Sequence, residues 1–394
     1  MRIRWILAAG VLLRALLIAT TRGTSDLALW EWFVWALQKH GMSGAWAHAE
    51  KLNHPPLGAL IVWGLHELGP LAITLRVSQV LADVATALLL ARIAQRLSAS
   101  PRFVAGLFFL SPVAILTSAF YCNTDSLLVM LIVASVLLML EGRDAASGAV
   151  FACACGIKIL PVLALPLLLM KGRMRFAAAY GVVIATIFLP VMWRDPLHFI
   201  RNVAGYAGSG ETWGLALPAT LAGATATFLQ LPRVRGIAYA AADLYNGIAR
   251  VAVLAAAAFV TWTWARSRRA DHLPAAVTLV FLGAIIAAPR VAPGYFLWFL
   301  PLLPFAVSRR LALAVHGLAS AHLVFAYTLY SHGFPWSYAD FTNTTNPWWL
   351  GRAVDAGGLP LWLLCIGTFV AGTRALTIGR RCSSPQSSLP GIAR

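Results

Sequence analysis

Four polar groups interrupt an otherwise apolar chain of 394 residues, and their side chains could carry acid–base and phosphate chemistry. The first is Thr24-Ser25-Asp26, directly after the opening hydrophobic segment, with Glu31 and the tryptophans Trp30, Trp32 and Trp35 close behind. The second, Asn53-His54-Pro55-Pro56, closes the same loop, and its two prolines fix the chain as it enters Leu57. The third is Asn123-Thr124-Asp125, between two apolar segments. The fourth is Lys158, joined from later in the chain by Arg290 and Tyr295. A carboxylate at a membrane edge, here Asp26, can take a proton from a hydroxyl as general base. Cations facing the same side, Arg290 and Lys158, can hold a phosphate leaving group and stabilise its developing charge. His54, Asp125, Asn123, Tyr295 and Glu31 are the candidates for shaping the substrate sites around them. No metal ligand set is visible. Cys153 and Cys155 stand two apart, which on a helix turns them to different faces, and all five cysteines read as small hydrophobes.

Each group also has a plainer reading. Asp26 after Thr24 and Ser25 is an ordinary helix start, and Asn123-Thr124-Asp125 is another. Lys158 can snorkel to an interface. Arg76 and Asp83, seven apart in one apolar segment, can pair with other helices for structural reasons alone. The tryptophans can form an interfacial belt. Asn343-Thr344-Thr345 matches a glycosylation sequon.

The elements that must position these residues follow from composition. The chain is 60% hydrophobic and 11% charged, with a mean hydropathy of +0.75, against roughly 25% charged residues in a soluble domain. This is an all-α polytopic membrane protein. The net charge of +17 does not point to nucleic acid, because the basic residues sit in short clusters between apolar runs. Candidate spans are Ile3–Thr20, Ile73–Gln95, Phe103–Phe120, Leu127–Leu140, Phe176–Trp193, Ile248–Ala265, Leu273–Ala288, Tyr295–Val307, Leu311–Tyr330 and Leu359–Val370. Asp26–His40 and Pro56–Leu68 read as interfacial helices. Ala146–Met170 carries basic residues at both ends and Lys158 and Pro161 in its middle, so it reads as two short arms. Leu215–Leu231 is ambiguous between span and loop, and the outer loop before it carries Arg201, Tyr206, Glu211 and Trp213. About a dozen crossings result, with both termini cytoplasmic and the polar groups on the opposite side. Residues 1–376 form one membrane domain with its catalytic first outer loop at 21–72, and residues 377–394 a disordered tail.

A base and phosphate-holding cations on one face are what glycosyl transfer from a lipid-phosphate sugar requires. In order, Leu13-Arg14, Ser25-Asp26-Leu27, His54-Pro55-Pro56-Leu57, Ser111-Pro112 with Asn123 to Leu127, Lys158-Ile159-Leu160-Pro161 and Arg290 to Pro301 resemble the GT-C superfamily of membrane glycosyltransferases. The likeness is nearest to the first mannosyltransferase of GPI-anchor synthesis and to bacterial polyprenyl-phosphate-mannose enzymes. It implies a helical bundle with about 12 membrane helices and an inverting, metal-independent transfer of a hexose, mannose foremost, outside the cytoplasm. The donor it implies is a polyprenyl-phosphate sugar, the acceptor a lipid-linked or other glycan, and no cofactor is required. By the same likeness Asp26 is the base and Arg290 grips the donor phosphate. Many relatives carry Asp-x-Asp in the first loop, whereas this chain has Thr24-Ser25-Asp26, which leaves Asp26 as the sole acid of that motif.

Two other classes stay open at this level. A secondary transporter or lipid flippase accounts for the proline-interrupted spans, and would place Arg76 and Asp83 in a central aqueous cavity. A non-catalytic subunit of a glycosyltransferase complex accounts for the missing first-loop acid. High Arg and Ala usage points to the inner membrane of a GC-rich bacterium.

Overall fold

The computed structural model describes residues 3–49, 52–203, 205, 232–267, 269–340 and 347–378, and they are almost wholly helical. Helix α1 (Ile3–Thr20) is followed by α2 (Asp26–His48), which breaks at Gly41, and by the short α3 (Pro56–Glu67). Then come α4 (Leu71–Arg96), α5 (Pro101–Phe109), α6 (Pro112–Ala119), α7 (Asp125–Leu140) and α8 (Asp144–Ile157). After a 3-10 turn at Leu160–Ala164 follow α9 (Leu165–Met192), α10 (Pro196–Val203), α11 (Pro232–Ser267) and α12 (Leu273–Ala287). The chain ends with the one-turn α13 (Phe296–Phe299), then α14 (Arg309–Ser331) and α15 (Trp348–Ile378). Seven of the described helices are long and apolar enough to cross a membrane, or eight if α5 and α6 make one bent span. The protein is thus an all-α polytopic membrane protein; the described residues supply seven or eight membrane-length helices toward the dozen crossings expected.

Several elements depart from the periodicity reading. Phe103–Phe120 is not one rod but two helices bent by 50°. Ser111 is extended and Pro112 opens the next helix, because proline supplies no N–H to the turn before it. Tyr295–Val307 is not a helix either: only Phe296–Phe299 is α-helical, followed by a 3-10 turn at Leu303–Phe305, since Pro301 and Pro304 interrupt the ladder. Such irregular backbone is tolerated at membrane depth only when shielded by protein, and Phe296 to Leu303 are all buried. The two-arm reading of Ala146–Met170 holds. Gly148 of α8 abuts Phe176 and Gly156 abuts Ile187. Met174–Met192, the membrane-length part of α9, therefore runs parallel to α8, and the apolar stretch Leu160–Gly172 before it is the second arm. The tracts Tyr206 to Trp213 and Leu215–Leu231, the sequon at Asn343 and the C-terminal tail from residue 379 lie outside the described residues, whereas 377 and 378 still belong to α15.

Buried charge ties the bundle together. Asp83 of α4 is fully buried and pairs not with Arg76 but with Arg14 of α1, Nε and Nη2 donating at 3.1 and 2.8 Å. Arg14 also donates to Ser118 Oγ of α6 at 3.0 Å and to the Phe109 carbonyl at 2.9 Å, so one guanidinium clamps α1, α4, α5 and α6. Arg76 donates to the Thr21 carbonyl (3.2 Å) and the Ala119 carbonyl (3.4 Å), where α1 and α6 end. Both knots are protein-bonded and buried rather than set in an aqueous cavity. Removing one member of such a pair strands the other charge, which costs about 3–5 kcal/mol. Asp83→Ala should therefore lower thermal stability in detergent sharply. Asp83→Leu combined with Arg14→Leu should recover part of the loss, as read by the unfolding midpoint.

Candidate active site

The two clamps fix the ends of α1 and α6, and the loops that leave them meet. Gly23 to Ser25 bonds to Ala339, far along the chain: Ser25 N–H donates to the Ala339 carbonyl (3.0 Å), and Ala339 N–H to the Gly23 carbonyl (3.1 Å). Thr24 Oγ1 donates to the Tyr121 carbonyl at 2.6 Å. Helix α2 then opens at Asp26. Its N-cap, Ser25, makes no side-chain cap bond, and Asp26 spends its carboxylate elsewhere, accepting from Asn123 Nδ2 at 2.6 Å. Tyr121 also hydrogen-bonds the Asp26 carboxylate. Asp26 is thus more than a helix start.

Asp125 opens α7, yet it too turns its carboxylate away from its own helix. Oδ1 accepts from Lys158 Nζ and from Trp298 Nε1, each at 2.7 Å. The first turn of α7 is capped instead by Gln79 of α4, whose Oε1 accepts from Leu127 N–H at 3.0 Å. Lys158 follows the last residue of α8 in an extended conformation, which lifts its ammonium out of the helix. It lies 5.7 and 5.6 Å from the ring centres of Tyr295 and Trp298, which stack on each other at 4.1 Å. Gly294 sits so close to the Asp125 carboxyl and the Tyr121 ring that a Cβ there would collide with both, which is why this turn needs glycine. Asp125 Oδ2 is buried without a hydrogen-bond partner among the described residues.

His54 completes the buried wall. Its ring packs on Trp30 at 4.4 Å, and its Nδ1 has no described partner. Burial, followed by the charge of Lys158, holds the imidazole well below its ordinary pKa, so it is neutral at pH 7. Helix α3 brings it there by packing Gly58 directly on the backbone of Ile157, the residue before Lys158. Trp30 and Trp46 belong to this interior rather than to a belt, whereas Trp35, Trp193 and Trp262 are exposed.

Arg290 lies in a non-helical segment between α12 and the Pro293–Tyr295 turn. The last carbonyls of α12 are held by Trp362 Nε1 on Ile286 (3.3 Å) and by the Tyr245 hydroxyl on Ala287. Arg290 itself is half-buried and has no ion-pair or hydrogen-bond partner among the described residues. Glu31 is exposed one turn along α2 and outside the hydrogen-bonded cluster. It does reach the last loop electrostatically. Burial pushes the Tyr338 phenol up to about 12, helped by the charges of Asp340, Asp26 and Glu31. The structure therefore joins Asp26, Asn123, Asp125, Lys158, His54 and Tyr295 in one cluster, with Arg290 on the adjoining segment. Sequence reasoning missed Tyr121, Gln79 and the Tyr338–Asp340 loop. For Tyr121 a signal existed, since it stands beside the polar Asn123-Thr124-Asp125.

Burial raises the Asp26 carboxyl to about 6, while the Asn123 and Tyr121 hydrogen bonds and the charge of Lys158 pull it down. It is ionised at neutral pH yet far more basic than a free aspartate, as a general base should be. A base works only when deprotonated, so with Asp26 in that role activity would fall about tenfold per pH unit below this value. Asn123→Ala deletes a bond that favours the charged form, so the acid limb of kcat/KM should move to higher pH. A limb left in place would separate Asp26 from the titration.

Residues 53–293, more than half of the chain, match the model of glycosyltransferase family 87. The match takes in His54, Asn123, Asp125, Lys158 and Arg290 and begins after Asp26, which the geometry links to it through Asn123. No curated protein matches the chain.

Proposed function

The chain belongs to glycosyltransferase family 87, and on that premise we propose that this membrane glycosyltransferase moves a hexose, mannose foremost, from a polyprenyl-phosphate donor to a lipid-linked or glycan acceptor. The observation that carries the reading is the cluster itself: a half-buried, basic carboxylate and the cations Lys158 and Arg290 at one end of a helical bundle. Asp26 takes the proton of the acceptor hydroxyl. The freed oxygen attacks the anomeric carbon from the face opposite the phosphate, forming the new glycosidic bond with inversion. The bond from that carbon to the phosphate oxygen breaks, its electron pair stays on the oxygen, and polyprenyl phosphate leaves. The lipid phosphate passes from one negative charge to two, and Arg290 offsets the charge it gains. Lys158 adds its remaining N–H groups, with Asp125 and the Tyr295–Trp298 stack fixing where they point. Neutral His54 and the carboxylates of Asp125 and Glu31 offer hydrogen bonds to sugar hydroxyls. No step of this scheme calls on a metal.

The setting that fits is a bacterial inner membrane with the cluster on the periplasmic side and both termini in the cytoplasm. Basic side chains gathered at the opposite end of the bundle, Arg96, Arg102, Arg143, Arg309 and Arg310, support that orientation. The test is a donor panel: purified protein offered polyprenyl-phosphate mannose, polyprenyl-phosphate glucose or a nucleotide sugar, with the anomeric configuration of the product read by NMR. Transfer from a polyprenyl-phosphate sugar with inversion is expected. Transfer from the nucleotide sugar alone, or with retention, would overturn the reading.

A further inference from the structure

A second feature lies at the opposite end of the bundle, about 21 Å along α1 from the turn that precedes Asp26. There Ile6 of α1, Ser100, Arg102, Phe103, Gly106 and Leu107 at and along α5, and Arg309 and Leu313 of α14 line an open groove of about 430 Å³. Its walls are mostly apolar: Ile6, Phe103, Gly106, Leu107 and Leu313. Its charged members are both cations, Arg102 and Arg309. Both are exposed, and neither has an ion pair or hydrogen bond with a described residue. The Arg309 guanidinium is held over the Phe103 ring at 4.3 Å, which fixes its direction across the groove. No acid among the described residues lines the groove, so none of them offsets the positive charge.

We propose that this groove is a binding site for an anionic phospholipid, its phosphate between Arg102 and Arg309 and an acyl chain along Ile6, Leu107 and Leu313. The position accounts for the pairing of features. Arg309 and Arg102 stand at the first turns of α14 and α5, at the membrane boundary where headgroups lie, while Leu313 is 47% exposed on the flank that acyl chains would cover. An arginine fork matches phosphate geometry in two bonds, and a basic pocket between membrane helices is suited to an acidic headgroup. A zwitterionic lipid brings its own cation and offers no net charge to match. The site is remote from Asp26 and does not depend on the glycosyl-transfer reading.

The test is native mass spectrometry of the full-length protein in detergent, titrated with phosphatidylglycerol or phosphatidylcholine of the same chains. One phosphatidylglycerol should bind in preference to phosphatidylcholine. R102Q/R309Q should weaken it about tenfold or more, while R143Q, an exposed arginine at the same end but outside the groove, should leave it unchanged. Equal binding of phosphatidylcholine, an unaltered double variant, or an equal loss in R143Q would each overturn the assignment. Displacement by an equal concentration of inorganic phosphate would do so too, since it would mark a free-anion site rather than a lipid site.

Discussion

Asp26→Ala should lower the transfer rate by about 10²–10⁴-fold, the usual contribution of a positioned general base, and leave the protein folded. The second half of that statement follows from its surroundings. Asp26 caps nothing, its helix start has no side-chain cap to lose, and Ser25 remains held by the Ala339 carbonyl. What the substitution removes is the acceptor shared by Asn123 Nδ2, at 2.6 Å, and the Tyr121 side chain, in a half-buried site. An orphaned amide costs about 1–3 kcal/mol when wholly buried and less with water at hand. On the proposed reading donor affinity should change little, because a base acting on the acceptor hydroxyl would not touch the phosphate. Asp26→Asn should be equally inactive, since it keeps the shape and loses the basicity. An acceptor that ionises more readily should recover activity in either variant, as it needs less help in losing its proton.

Arg290→Ala should cost about 10²–10³-fold in kcat/KM, the typical loss when one donor to a developing oxyanion is removed. Its signature should differ from that of Asp26. On the proposed reading the donor phosphate carries one negative charge before transfer and two after, so Arg290 would contribute to binding and contribute more as the bond breaks. Both KM and kcat should therefore suffer. Arg290→Lys keeps the charge but loses the two-pronged fork, so it should recover only part of the loss. Stability should be nearly unchanged in both variants, because Arg290 has no ion pair or hydrogen bond with the described residues. Steady-state kinetics on a polyprenyl-phosphate donor, paired with unfolding midpoints, separates these effects. A loss of stability matching the loss of rate would make Arg290 structural.

Much of the architecture could be read from the chain because apolar runs and basic clusters alternate along it, and those are local signals. Helices α1, α4, α12 and α14 fall within a few residues of the expected spans. Less legible were features decided by tertiary contact. Asp83 finds Arg14 rather than Arg76, and nothing in the spacing of α4 indicates a partner 69 positions away. The run after Tyr295 has the hydropathy of a span, but Pro301 and Pro304 break it and burial makes the break tolerable. The chemical cluster was partly legible, since Asp26, His54, Asn123, Asp125 and Lys158 stand out as polar residues in apolar company. That Asn123 would hold Asp26, and Lys158 hold Asp125, depends on how α1, α6 and α8 end side by side. The last loop gave no sign of its part. Ala339 joins the first loop through backbone groups alone, which carry no side-chain signature.

The central claim is that Asp26 is the base in transfer from a lipid-phosphate sugar. Its most direct test follows release of polyprenyl phosphate from polyprenyl-phosphate mannose, in detergent with acceptor present, for folded wild type and folded Asp26→Ala side by side. Release by the wild type with loss of at least about 10²-fold in the variant is the expected result. Equal release by both proteins would contradict the account, because the proton would then leave by a route that does not pass through Asp26.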